Sequence, residues 1–125
     1  LATGARLPAY CSSLGRVLLA ALPEAEARRL ITAMKREKLT PHTITDVEAL
    51  IKMLGQVRKD DYAIVDEELE IGLRSIAVPV RNASGQIIAA MNIGVQAGRV
   101  SREGLIKDIL PVLKAAAESV APALI

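Results

Sequence analysis

The chain has 125 residues, a length that fits one domain of ordinary size. It is 51% hydrophobic and 24% charged, with a mean hydropathy of +0.31, which excludes a disordered or low-complexity chain. Because 16 basic residues stand against 14 acidic ones, the net charge of +2 indicates no basic surface for nucleic acid. Aromatic residues make up 2% of the chain, too few for the modules that stack single-stranded bases on exposed rings.

The single cysteine and the short apolar stretches bear on the cellular compartment. Cys11 has no second cysteine to pair with, which fits a reducing environment and predicts a cytoplasmic protein. The longest apolar stretches, such as residues 17–22 and 87–91, are far below the roughly 18 to 20 residues that cross a bilayer. We therefore expect no contact with a membrane. Since the sequence begins at Leu1 and not at Met, we also expect it to be a domain of a longer protein.

The first half of the chain is predicted to be helical. Residues 11–13 (CSS) place hydroxyl groups where an N-cap belongs, ahead of an apolar helix over residues 14–22. Pro23 suits the first position of a second, amphipathic helix. Residues 45–48 (TDVE) have the form of a capping box, in which Thr and Glu bond each other's backbone, and they predict a third helix that ends near Asp60.

Beyond the third helix the pattern changes to short β-prone segments, at residues 62–65, 74–80 and 86–95. Turn residues at 82–85 (NASG) predict that the last two strands form an antiparallel hairpin. Pro79 has no N–H to donate, so its strand is expected at a sheet edge or bulged at that point.

A final helix is predicted from Ser101 to about Ala123, and Pro111 within it either kinks the helix or begins a second piece. Together these elements predict an α/β (α+β) domain, in which helices at both chain ends flank a mostly antiparallel sheet.

Catalytic and metal chemistry find little support in the sequence. Cys11 and His42 are the sole candidates for a nucleophile and base pair, and no known catalytic motif surrounds either residue. One Cys and one His cannot supply the ligands of a zinc site. GxSxG, Walker A and GxGxxG motifs are absent. We therefore expect no cofactor, no metal and no enzymatic activity.

Two polar segments remain as candidate sites. The acidic residues 66–68 (DEE) are interpreted as a solvated strand end, in preference to a catalytic pair of carboxylates. The helix start after Cys11 offers unpaired N–H groups and the hydroxyls of Ser12 and Ser13, with Arg16 adding positive charge. Such a start can hold a carboxylate, and the alternative is an ordinary capped helix.

Four blocks in order, at residues 7–20, 43–46, 61–68 and 72–80, resemble the effector-binding domain of IclR-family transcription regulators. The first block (LPAYCSSLGRVLLA) is most similar to the PcaR/PcaU/PobR branch, whose members sense aromatic acids or intermediates of the β-ketoadipate pathway. The resemblance implies a GAF-like fold with a curved antiparallel sheet, and it implies that residues 1–125 form one effector-binding domain.

The resemblance also implies a pocket between the sheet and a loop. Its lining would come from Ser12, Ser13, Leu14, Gly15, Val65, Asp66, Ser75, Asn92 and Gly94. Three of these depart from the family pattern: Ser75 stands where many relatives have Cys, and Asn92 and Gly94 replace the small hydroxyl residues of members that bind very small acids. These departures favour an acid that is larger than the ligands of those members, or one whose polar groups are placed differently.

The partners implied are a small organic acid and further copies of the chain, as a homodimer or tetramer. DNA would be bound through an N-terminal winged helix-turn-helix domain that these 125 residues lack. Three other readings stay open: a GAF-like or PAS-like sensor module of another signalling protein, an enzyme with a reactive Cys11, and a purely structural dimerisation domain.

Overall fold

Helices, strands and a last helical segment follow one another in the order predicted from the sequence. The structure is a computed structural model and describes residues 8–123. The elements are a 3₁₀ turn (Ala9–Cys11), α1 (Ser13–Ala20), α2 (Glu24–Ala33), α3 (Val47–Asp60), β1 (Ala63–Asp66), β2 (Leu73–Arg81), β3 (Ile87–Gln96), α4 (Arg102–Gly104), a π-helical turn (Leu105–Ile109), α5 (Leu110–Val120) and a 3₁₀ turn (Ala121–Ala123).

The helix starts show how local chemistry fixes the first half of the chain. Ser12 caps α1 as predicted, since its Oγ accepts a hydrogen bond from the Gly15 N–H at 3.1 Å. The predicted capping box at residues 45–48 is wrong by one residue, because Asp46 is the N-cap of α3 and accepts from the Ala49 N–H at 2.9 Å. Pro23 likewise precedes α2 as its N-cap and is not its first helical residue.

The three strands form one antiparallel sheet in the order β1-β2-β3, and the last two make the predicted hairpin. Pro79 lies on the central strand β2, but β1 pairs with β2 only as far as Ala77. The missing N–H of Pro79 therefore removes no hydrogen bond of the ladder with β1. A register irregularity follows it between Val80 and Arg81, so the expected edge or bulge is local to this end of β2.

Alternation along the strands separates two hydrophobic clusters on the two faces of the sheet. Ala63 and Ala77 belong to the cluster built around α1, α2 and α3, which holds Leu50 and Leu54 fully buried. The opposite face packs on the C-terminal helical segment in a second cluster, whose buried members are Ile76, Val78, Val80, Leu105, Leu110, Leu113 and Ala117. The sheet is thus covered by helices from both ends of the described chain.

The C-terminal segment is continuous but changes its helical form ahead of Pro111. The Leu110 N–H bonds to the Leu105 carbonyl in a wide turn, and α5 begins there with Pro111 in its first turn. A proline at such a position forfeits no hydrogen bond of the helix interior, so the second of the two predicted alternatives describes it best. Among the described residues, no helix is both long and apolar enough to span a membrane.

Candidate ligand-binding site

A cavity of about 430 Å³ lies between the start of α1, the loop that joins β1 to β2, and the sheet face that looks toward α1. This volume is within the usual range of small-molecule sites. Its lining contains six of the ten predicted site residues: Ser12, Ser13, Val65, Ser75, Asn92 and Gly94. It also contains Cys11, Leu69, Glu70 and Leu73, which were not among the predicted ligand-binding residues.

Sheet register brings residues far apart in sequence into one wall of the cavity. Ser75 on β2 faces Val65 on β1 and Gly94 on β3, so these three residues form one row across the sheet. Asn92 stands two residues from Gly94 and therefore points to the same side. The Cβ that Gly94 lacks would have Leu73 Cδ1 as a neighbour at 3.6 Å, an ordinary contact distance. The wall is open here because the side chain is small.

Ser13 distinguishes this cavity from the others, because its hydroxyl is buried and unpaired. The residue is 2% exposed, and among the described residues its Oγ has no hydrogen-bond partner. Leaving a buried hydroxyl unpaired costs about 1 to 3 kcal/mol, so proteins rarely do it without reason. Ser13 lines the cavity at the first turn of α1, where the helix dipole is positive.

Arg16 is one turn further along α1 and does not line the cavity. Its guanidinium makes two hydrogen bonds to the Glu68 carboxylate, Nη1 to Oε2 at 2.7 Å and Nη2 to Oε1 at 2.6 Å. Nε donates to the Tyr10 carbonyl at 2.9 Å, and both charged side chains are almost fully buried. The sequence-based expectation that Arg16 attracts an acid directly is not supported, because Glu68 already neutralises its charge.

The acidic segment at 66–68 was predicted to be solvated, and for Glu68 this is wrong. Its carboxylate also accepts from the Ile44 N–H at 3.1 Å, which ties the loop before α3 to the loop after β1. Two threonines reinforce this tie, since the Thr40 and Thr43 hydroxyls donate to the carbonyls of Glu67 and Glu68, each at 2.6 Å. Together these bonds fix the loop that carries Leu69 and Glu70 into the cavity wall.

Three further predicted residues lie beside the cavity without lining it. Leu14 packs against the hydrophobic cluster of the helical face. Gly15 lies against the 3₁₀ turn, where a Cβ would meet the backbone of Ala9 at 2.4 Å. Asp66 accepts a hydrogen bond from Arg74 Nε at 2.9 Å. Leu14 and Gly15 thus shape the helix start, and Asp66 secures the strand end.

Cys11 and His42 do not have the surroundings of a catalytic pair. The Cys11 side chain is fully buried, and burial raises the pKa of its thiol above the usual range, which disfavours the reactive thiolate. His42 lies exposed in the loop before α3. Within residues 8–123, no group of three His, Cys, Asp or Glu side chains is placed to hold a metal ion.

Other surface depressions, of about 240 to 560 Å³, border Arg81 at the opposite end of β2. The Arg81 guanidinium already forms a two-bond ion pair with Asp61 at 2.8 and 2.9 Å. Among the described residues, these depressions contain no buried polar group that lacks a hydrogen-bond partner. The cavity beside Ser13 is therefore the candidate site.

The fold and the cavity together define an α+β domain with a pocket of the size that small molecules occupy. Residues 1–122 match the family described as bacterial transcriptional regulator IclR C-terminal, and the chain belongs to this family. Family membership confirms the resemblance drawn from the four sequence blocks. The matched family and two curated relatives are transcriptional regulators and not enzymes, which agrees with the predicted lack of enzymatic activity and with the predicted cytoplasmic location.

Two curated relatives carry names from aromatic catabolism. The chain is 47% identical over 116 residues to the Pca regulon regulatory protein of Pseudomonas putida, covering 93% of this chain and 40% of that protein. It is 44% identical over 111 residues to the p-hydroxybenzoate hydroxylase transcriptional activator of Acinetobacter baylyi, covering 89% and 41%. The chain thus spans less than half the length of these relatives.

Solved structures of similar fold include two at a TM-score of 0.91. One is a transcriptional regulator from a Rhodococcus species, 43% identical, with 97% of this chain and 49% of that chain covered. The other is a double mutant of the PobR inducer-binding domain from Acinetobacter in complex with 3-hydroxybenzoic acid, 40% identical, with 97% and 69% covered. These likenesses confirm the predicted fold class.

Proposed function

We propose that this chain is the sensor of an IclR-type regulator for a small organic acid, an aromatic acid or a β-ketoadipate pathway intermediate, and that the acid binds beside Ser13. The buried, unpartnered Ser13 hydroxyl carries the proposal. A carboxylate oxygen would accept its hydrogen bond, and the positive end of α1 would stabilise the charge.

The rest of the lining suits a ring with one further polar group. Val65, Leu69 and Leu73 offer apolar surface to the ring, while Ser75 and Asn92 offer hydrogen bonds to a ring hydroxyl. The similar domain that was solved with 3-hydroxybenzoic acid supports an acid of this kind.

In the full-length protein, we propose that acid binding controls DNA binding by a homodimer or tetramer. DNA would be contacted through an N-terminal winged helix-turn-helix domain outside this sequence. The acid can shift the placement of two such domains only if its affinity differs between the two arrangements, so affinity and arrangement are reciprocally linked.

The test is calorimetric titration and thermal unfolding of the chain with 3-hydroxybenzoate, 4-hydroxybenzoate, protocatechuate, β-ketoadipate and cis,cis-muconate. A ligand that binds only the folded state raises the unfolding midpoint. Ser13→Ala removes the hydroxyl and leaves no unpaired group, so it should stay folded and weaken acid binding about 10-fold or more.

Ser119→Ala is the matched control, because Ser119 is exposed on α5 and far from the cavity lining. It should bind the acid as the unmodified chain does. Equal affinity of the Ser13→Ala and Ser119→Ala variants would contradict the site. No midpoint shift with any acid at millimolar concentration would instead favour the structural dimerisation domain.

A further inference from the structure

The described lining of the cavity has one negative side chain and no positive one. Among the described residues that line it, Glu70 is the single charged side chain, and it is exposed at the surface. The other polar lining groups are two hydroxyls at the start of α1, the Ser75 hydroxyl and the Asn92 amide. Burial raises the pKa of the Cys11 thiol, so this group stays neutral at pH 7 and adds no charge.

The two arginines closest in sequence to the lining residues are already engaged. Arg16 forms its buried two-bond pair with Glu68, so the pair contributes no net charge. Arg74 pairs with Asp66 and donates to the carbonyls of Ala97 and Val100 at 3.1 and 2.5 Å. Among the described residues that line the cavity, the positive group that faces a bound anion is the start of α1, which carries about half an elementary charge.

We propose that the cavity selects acids with a single carboxylate and disfavours dicarboxylates, with Glu70 as the specificity-determining residue. This inference rests on the proposed function and narrows its ligand class. One carboxylate fits the start of α1 beside Ser13. A second carboxylate on the same small molecule meets the Glu70 side of the cavity, and no described lining residue is a cation that would compensate it. Aromatic monoacids are therefore favoured over open-chain diacids such as β-ketoadipate.

The experiment compares ligands that differ by one charge on the same ring. Isophthalate is 3-hydroxybenzoate with a carboxylate in place of the hydroxyl, and terephthalate stands in the same relation to 4-hydroxybenzoate. Affinities of both pairs are measured by calorimetry for the unmodified chain and for Glu70→Gln. If the second carboxylate of the ligand lies about 6 Å from the Glu70 carboxylate in a partly hydrated site, their repulsion weakens binding about 10-fold.

We expect each dicarboxylate to bind the unmodified chain at least about 10-fold more weakly than its monoacid partner. Glu70→Gln should narrow this gap about 10-fold and change monoacid affinity much less. Glu103→Gln is the control, since it removes one exposed acidic charge at the start of the last helical segment, away from the cavity. The gap should also shrink as salt concentration rises.

Two results would overturn the selectivity: equal binding of both members of a pair by the unmodified chain, or an unchanged gap in the Glu70→Gln variant. If the monoacids bind and either result is found, the proposed function stands and the role of Glu70 is refuted. If neither member of either pair binds, the proposed aromatic-acid function fails, and the selectivity fails with it.

Discussion

Replacing Arg16 by Met should destabilise the domain far more than an ordinary surface change. The substitution leaves the Glu68 carboxylate buried, since this residue is 6% exposed, and without its two hydrogen bonds from Arg16. Breaking a buried ion pair in this way costs about 3 to 5 kcal/mol. For a domain of this length, that lowers the unfolding midpoint by about 12 to 20 °C.

The double variant Arg16→Met, Glu68→Met separates the cost of an orphaned charge from the value of the pair. It removes both charges and leaves the Tyr10 carbonyl and the Ile44 N–H without their partners, each worth about 1 kcal/mol. Apolar side chains of similar volume offset part of this, so the double variant should be about 2 kcal/mol more stable than Arg16→Met alone.

Urea unfolding at neutral pH, followed by circular dichroism, measures Arg16→Met, Glu68→Met, the double variant and the unmodified chain in one double-mutant cycle. The reasoning would be refuted if Arg16→Met cost less than about 1 kcal/mol, as a surface ion pair does. It would also be refuted if the losses of the two single variants simply added in the double variant, since partners in contact should couple.

Two further stability predictions concern the ends of α1 and α3. Gly15→Ala places a Cβ 2.4 Å from the Ala9 Cα and should lower the free energy of unfolding in urea by about 2 kcal/mol. The control Gly98→Ala meets no atom within 4 Å and should change that free energy by less than about 0.5 kcal/mol. Equal losses in the two variants would contradict the close approach of Gly15 to Ala9. The hydrogen bonds from Arg81 lower the pKa of Asp61 below its usual 3.8, so the stability that Asp61 adds is present above that pH and lost as the pH falls through the lowered pKa. Asp61→Asn should therefore be less stable than the unmodified chain at pH 7, by at most about 1 kcal/mol because the pair is exposed. This difference should shrink as the pH falls below 3.8, and a difference that stays constant from pH 7 into the acid range would exclude the ion pair as its cause.

Local patterns in the sequence predicted the elements well, because caps, apolar spacing and turn residues act over a few positions. Ser12 is the cap that the hydroxyl pair indicated, and residues 82–85 join β2 to β3 as expected. Errors of one residue at Pro23 and Asp46 arose where neighbouring residues are equally able to begin a helix.

The candidate site was predictable only in part, because its walls depend on contacts between distant segments. The resemblance placed Ser13, Val65 and Asn92 at a pocket, and these residues do line the cavity. No local pattern indicates that Arg16 binds Glu68, 52 positions away. Sequence patterns alone therefore predict that the charge of Arg16 faces the ligand and that Glu68 faces solvent. A pairing of this kind depends on how distant segments pack together, and the local spacing of apolar residues does not predict it.

The small side chains on the sheet wall of the cavity bear on how such sensors diverge in evolution. Gly94 and Ser75 lie outside the two hydrophobic clusters that hold the domain together. A methyl group added at Gly94 would have ordinary van der Waals contact with Leu73 and no clash. A methyl group at Gly94 can therefore reduce the room in the cavity without a clash inside the fold. In this way, single substitutions on one fold can produce cavities of different shape, and each variant along the way keeps both hydrophobic clusters and stays folded.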